Sequence, residues 1–259
     1  VVYPTWYATG AMDAAVLRMI STYKGDTPKL EVESAAAPLA EQASWQVTGE
    51  ALCTAACTKL KTVQMALRCR DDYEQDKIFC SAWKGVDRTQ NQKENNWVVF
   101  SDGFKNLEKV TASADWSGAK NYAIVAGAGE ESEREVQIVD QSAGGYSRQL
   151  WVEAKDLRFN EKKQTLEEYQ ASLRQRGAEK LLEHQPIQNV EVDVTAGTFQ
   201  YLRDFDLGDK VDVAVRELGL AMEARIVSVR EVFKSNGHRV TLTLGEKKLT
   251  TLQKARMIF

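Results

Sequence analysis

Four cysteines and two histidines are the residues most able to do chemistry in this chain: Cys53, Cys57, Cys69, Cys80, His184 and His238. Thiolates and imidazoles together could hold zinc, and a thiol beside a base could act as a nucleophile. The spacing favours neither. Cys53 and Cys57 lie four apart on a predicted helix beside Leu52, Ala56 and Leu60, where small apolar side chains are expected to be buried. A metal site calls for closer pairs and nearby histidines, and both histidines are far off in sequence. Cys69 and Cys80 flank a predicted hairpin turn and could sit opposite each other. A disulfide could join them, although a cytoplasmic product is expected to keep both as thiols.

Other chemistry finds little support. A serine or cysteine hydrolase needs a base beside its nucleophile, and the chain has no Gly-x-Ser-x-Gly elbow. Glycosidases need only two carboxylates about 5–9.5 Å apart, a separation that a sequence does not reveal. Gly127-Ala128-Gly129 is followed by Glu130, Glu131 and Glu133, which would repel a phosphate, and by a predicted strand where a phosphate loop requires a helix. A plain turn is expected. Asp87-Arg88-Thr89 reads as a local ion pair or a turn closed by Thr89. Asp204-Phe205-Asp206-Leu207-Gly208-Asp209 places aspartates at alternate positions but lacks the spacing and terminal Glu of a calcium loop. It reads as a tight turn, with positive φ at Gly208, feeding a strand from Lys210. No catalytic, cofactor-binding or metal-binding residue is assigned, and no cofactor is expected.

These residues must be carried by a predominantly β chain. Met12, Val16, Met19, Ile20 and Tyr23 recur at helical spacing before Gly25 and Pro28. A second helix is predicted from near Thr48 to near Lys61, with a loop at Ala35-Ala36-Ala37-Pro38 between the two. Strands at 65–69 and 78–83 then enclose a polar turn. Short strands are predicted at 97–100, 122–125, 135–139 and 149–152, separated by glycines. One long helix spans 165–184, opened by a Thr165/Glu168 capping box. Leu166, Tyr169, Leu173, Leu181 and Leu182 form its apolar stripe, and Gly177 marks a close-packing point against neighbouring backbone. The C-terminal part alternates valines at 190, 192 and 194 and at 211, 213 and 215, then closes a hairpin through Asn236-Gly237. The expectation is an α+β, β-rich chain in two domains. Residues 1–95 would form a small α+β domain, and 96–259 a β-rich domain with the long helix and a barrel-like end.

The 259 residues are 43% hydrophobic and 27% charged, enough for a sizeable core, with a formal net charge of −3. That balance argues against a dedicated nucleic-acid binder. The run Glu246-Lys247-Lys248 reads as a solvated face. No stretch approaches the roughly 18 apolar residues of a membrane span. Trp6, Trp45, Trp83, Trp97, Trp116 and Trp151 offer stacking surfaces, but scattered through predicted strands they are expected in core or interface.

Seven segments in order resemble a known family: Trp83-Lys84-Gly85-Val86-Asp87-Arg88-Thr89, Trp97 to Ser101, Lys120 to Gly127, Gly129 to Arg134, Glu153 to Leu157, Arg176-Gly177, and Asp206 to Val211. The family is that of tail-associated baseplate hub proteins of siphophages and prophages, of the Reqi-Pepy type. The likeness covers residues 83–259 well and the first eighty more loosely. It implies a phage tail-hub fold with small β-barrel-like domains, a homotrimer at the distal end of the tail tube, and a role adapting the sixfold tube to a threefold tip. It also implies other tail proteins as partners (distal tail, tape measure, tail tip or fibre proteins), DNA that passes without specific binding, and a place in the virion tail after assembly in the host cytoplasm. Family members usually carry a further barrel's worth of strands ahead of the matching region. A tail-associated cell-wall hydrolase and a carbohydrate-binding module are the competing readings.

Overall fold

The computed structural model describes the chain except residues 26, 28, 36–37, 131–133, 196–197, 236 and 246–259, and describes the backbone alone at 187–189 and 217. It is β-rich with few helices, an α+β chain. Two compact units compose it, and neither is continuous. One comprises Val1–Trp83 and Gly118–Gln185, the other Lys84–Ser117 and Pro186–Phe259. This differs from the consecutive pair 1–95 and 96–259. The stretch 84–117 belongs with the C-terminal part because its two strands find their partners there, more than seventy residues downstream.

In the first unit, β1 (Trp6–Ala11) pairs antiparallel with β3 (Gln42–Val47). Between them runs α1 (Met12–Tyr23), which buries Met12, Val16, Met19 and Ile20, the stripe read from the sequence. The helix α2 (Leu52–Thr62) begins four residues later than the expected Thr48. Gly49 takes φ +75°, and Val2 bonds the backbone of both Gly49 and Glu50, so this stretch cannot be helical. The hairpin of β4 (Ala66–Asp72) and β5 (Lys77–Trp83) follows, with β2 (Leu30–Val32) parallel to β5 on its other side. Cys69 and Cys80 are directly opposed, as the flanking turn suggested.

A second sheet in this unit has the order β10 (Gln149–Glu153), β8 (Tyr122–Ala126), β9 (Val136–Asp140). Over it lies α3 (Leu166–Glu183), opened by the expected capping box: Thr165 Oγ1 accepts from Glu168 N, and Glu168 Oε2 accepts from Thr165 N. Tyr169, Leu173 and Leu181 pack on Ala123, Val125 and Val152. Leu166, part of the stripe read from the sequence, is half exposed.

The second unit is a six-stranded sheet in the order β6 (Val99–Ser101), β12 (Lys210–Val215), β13 (Leu220–Lys234), β14 (Gly237–Gly245), β11 (Ile187–Val194), β7 (Leu107–Asp115). Its core takes Val190, Val192 and Val194 with Val211, Val213 and Val215, closed by Phe100, Phe205, Ile226, Leu242 and Leu244. The valine alternation therefore marks the inward face. β13 and β14 pair antiparallel down to Lys234↔Gly237. Asn236 in the expected turn and the run Glu246-Lys247-Lys248 lie outside the described residues. Among the described residues no helix is long and apolar enough to cross a membrane.

Candidate functional site

In the second unit, two of the seven segments meet edge to edge. Lys210 N donates to Val86 O at 2.9 Å and Arg88 N to Lys210 O at 2.8 Å, so Gly85–Thr89 lies along the start of β12. Asp209, fully buried, binds the two segments together. Its Oδ1 accepts from Val86 N at 2.7 Å, and its Oδ2 accepts from Arg88 Nε at 2.7 Å and from Asp206 N at 2.9 Å. Three donors on one buried carboxylate satisfy a charge that would otherwise be costly to bury. Arg88 is thus paired across 121 residues, where a local ion pair had been expected.

The turn before β12 is the expected one. Gly208 has φ +91°, a region that side chains with a Cβ avoid. Gly208 N donates to Ile226 O at 2.8 Å. Gly85 is needed for a different reason: a Cβ there would overlap the Gly208 carbonyl and the Asp209 amide. Asp87 accepts from Thr89 N at 2.9 Å and Thr89 Oγ1 at 2.8 Å, the turn read from the sequence. The Thr89 backbone N–H, chiefly, holds its carboxyl below the usual aspartate range. Next to it, Lys210 and then Asn91 hold Glu223 below its ordinary value, and Lys210 is raised in return. The aspartates of 204–209 are therefore committed to protein donors: Asp204 to Arg203 and Gln200 N, Asp206 to Leu207 N, and Asp209 as above.

Four further segments meet in the first unit. Arg134 donates through Nε to Gly127 O at 2.7 Å and through Nη2 to Ala126 O at 2.9 Å, pairs with Glu153, and lies over the Trp151 ring. Its hydrogen bond is the main reason that the Glu153 carboxyl sits below its ordinary value. Arg176 forks onto Asp156 at 2.8 and 3.3 Å. Burial pulls its pKa down, but Asp156, Glu179 and Glu50 more than offset this. A Cβ on Gly177 would come within 2.7 Å of Val125 Cγ2 and Val139 Cγ2. Gly177 is thus a close-packing point against side chains of the sheet rather than against backbone.

A buried ion pair escaped the sequence reading. Lys59 Nζ lies 2.6 Å from Glu179 Oε1, with the two side chains only 2% and 5% exposed. Gln175 Nε2 also donates to Glu179 Oε1, at 3.0 Å, and Lys59 stands 5.4 Å from the Trp45 ring centre. Lys59 shares the buried face of α2 with Ala55, Ala56 and Leu60, so a charge at i+3 and i+4 from apolar positions was the available signal. That face also corrects the reading of Cys53 and Cys57. They flank it and are exposed, and only Cys80 of the four cysteines is buried. Of the tryptophans, Trp45 is buried, while Trp97, Trp116 and Trp151 are about half exposed. The Trp97 indole donates to Gln92 O at 2.9 Å, and Trp151 is stacked by Arg134. Among the described residues, no three His, Cys, Asp or Glu side chains gather in a way that could hold a metal. What the paired groups do chemically is fasten: Asp209, Arg88, Arg134 and Arg176 are each turned onto a neighbouring segment.

The model of the family described as Siphovirus ReqiPepy6 Gp37-like protein matches residues 24–246. Among solved structures, the chain is similar to the 43 kDa tail protein of prophage MuSo2 from Shewanella oneidensis, at 15% identity and a TM-score of 0.54. That match covers 94% of this chain and 68% of the other. It is also similar to the tail protein from Neisseria meningitidis MC58, at 13% identity and a TM-score of 0.50, covering 96% of this chain and 71% of the other. At such identities the likeness is one of fold. No curated protein matches the chain.

Proposed function

The chain belongs to the Siphovirus ReqiPepy6 Gp37-like family, and on that premise we propose that it is a structural phage or prophage tail protein serving as the baseplate hub. In this reading three copies form a ring at the distal end of the tail tube and adapt it to the tail tip. Its neighbours are other tail components: the distal tail protein, the tape measure, and tip or fibre proteins. It is assembled in the host cytoplasm and resides in the virion tail.

The observation that carries this reading is the use made of the family-like segments. Asp209, Arg88, Arg134, Asp156 and Arg176 are all turned onto neighbouring protein groups. Such residues make a rigid scaffold and leave no assigned nucleophile or general base. A net charge of −3 suits a ring through which DNA passes without tight binding. No catalytic role is assigned to any residue, so the protein is expected to hydrolyse neither peptidoglycan nor peptides.

Cryo-electron microscopy of intact tails, with solution mass of the full-length gene product, tests the assignment. Threefold density for this chain at the distal tube end is expected. A stable dimer, salt-sensitive tight binding to duplex DNA, or a zymogram band abolished by changing one carboxylate would overturn it.

A further inference from the structure

Both partners of the β4–β5 hairpin carry a thiol at the same register position. Cys69 and Cys80 are directly opposed in an antiparallel pair, and their thiols are in hydrogen-bond contact. Opposed residues in such a pair have Cα atoms about 4.5–5.5 Å apart, inside the range of about 4.4–6.8 Å that disulfides span. One thiol is exposed and the other, 2% exposed, belongs to the unit's hydrophobic core. The thiols of the other pair, Cys53 and Cys57, are in contact in the same way, so it is backbone geometry that separates the two pairs. Cys53 and Cys57 sit one helical turn apart on α2, where Cβ atoms stand about 5–6 Å apart. A disulfide wants Cβ atoms at about 3.5–4.5 Å, and opposed strand residues approach that more closely, at about 4.5–5.5 Å.

We propose that Cys69 and Cys80 are a thiol–disulfide site, with Cys69 the point of entry for a low-molecular-weight disulfide and Cys80 the resolving thiol. The exposed Cys69, as thiolate, attacks one sulfur of oxidised glutathione and displaces one glutathione thiolate. The Cys80 thiolate then attacks the Cys69 sulfur of the mixed disulfide. The Cys69–Cys80 bond forms and the second glutathione leaves. The two protein thiol protons end on two glutathiones, so the small disulfide is reduced as the protein pair is oxidised. In the reduced pair burial, and then the neighbouring Cys69 thiol, push the Cys80 thiol up to about 12; once Cys69 carries glutathione, burial alone still disfavours the Cys80 thiolate. The bond would pin β4, the edge strand of its sheet, to β5. The inference rests on the hairpin alone and holds whether or not the tail assignment does.

The test equilibrates the purified chain in glutathione buffers of rising oxidised fraction, blocks free thiols with N-ethylmaleimide, and reads intact mass and tryptic peptides. Trypsin cuts after Arg68, Arg70, Lys77 and Lys84, so the expected product is Cys69-Arg70 joined to the peptide from Ile78 to Lys84. Cys53 and Cys57 should remain alkylated. The oxidised form should melt higher by roughly 5–10 °C, a gain that dithiothreitol abolishes. Cys80→Ala should trap glutathione on Cys69. Cys69→Ser, a change at an exposed position, should form no hairpin disulfide. Four alkylated thiols at every ratio, a bond between Cys53 and Cys57 instead, a bond between chains, or a Cys80→Ala protein that takes up no glutathione would each overturn the proposal.

Discussion

Gly85→Ala is a small change with a large expected effect. It adds one methyl group at a glycine whose φ is not positive, so backbone strain is not at issue. The methyl carbon would fall well under 3.0 Å from the Gly208 carbonyl and the Asp209 amide, separations that real Cβ atoms do not show. Carbon contacts relax to about 3.5–4.0 Å, so the two segments must part by about 1 Å or more. Four hydrogen bonds of 2.7–2.9 Å span this junction: Val86 N and Arg88 Nε to the Asp209 carboxylate, Lys210 N to Val86 O, and Arg88 N to Lys210 O. Widened by that much they lie beyond hydrogen-bonding range. Each buried group left unsatisfied costs about 1–3 kcal/mol, and Asp209 is fully buried. With partial relaxation, the loss should be on the order of 3–5 kcal/mol, at the upper end for single substitutions. Equilibrium unfolding in urea reads it directly, with Gly118→Ala as the control. Nothing lies within 4 Å of a Cβ at Gly118, and that variant should stay within about 0.5 kcal/mol. If Gly85→Ala unfolds at the wild-type midpoint with an unchanged slope, the junction is not as tight as described and the reasoning fails.

Gly208→Val should cost about 1–3 kcal/mol, since valine strongly disfavours φ +91°; an unchanged melting temperature would give the turn another purpose. Lys59→Ala should cost about 3–5 kcal/mol by leaving Glu179 charged and buried, and adding Glu179→Leu should recover part of it; a double mutant no better than Lys59→Ala would show that the pair is not coupled. Asp87 and Glu223 have carboxyls held below their ordinary values of 3.8 and 4.5, by the Thr89 backbone and by Lys210 respectively. Folded values below unfolded ones mean a contribution that is whole above the ordinary carboxylate range and lost as pH falls through the depressed values. The melting temperature should therefore fall on acidification from about pH 5 toward pH 3, and Asp87→Asn should flatten that fall; an identical pH profile for the variant would refute it.

Much of the local structure was legible in the sequence because its signals are local. The capping box Thr165/Glu168 satisfies two backbone amides within one turn, so four residues suffice to announce the start of α3. Alternating valines at 190–194 and 211–215 mark an inward face because successive strand residues point to opposite sides. Gly208 sat where a chain reversal needs positive φ. Strands of mixed polarity gave no such sign, and β1, β2, β3 and β7 went unread. The tertiary structure alone decided which segments meet. Arg88 finds Asp209 across 121 residues and Lys59 finds Glu179 across 120, distances at which no periodic pattern survives. The same long-range pairing draws residues 84–117 out of the N-terminal half into the six-stranded sheet. It also set the exposure of Cys53 and Cys57. Apolar neighbours at helical spacing define a buried face, but only the surface packed against that face fixes how far round the helix it extends.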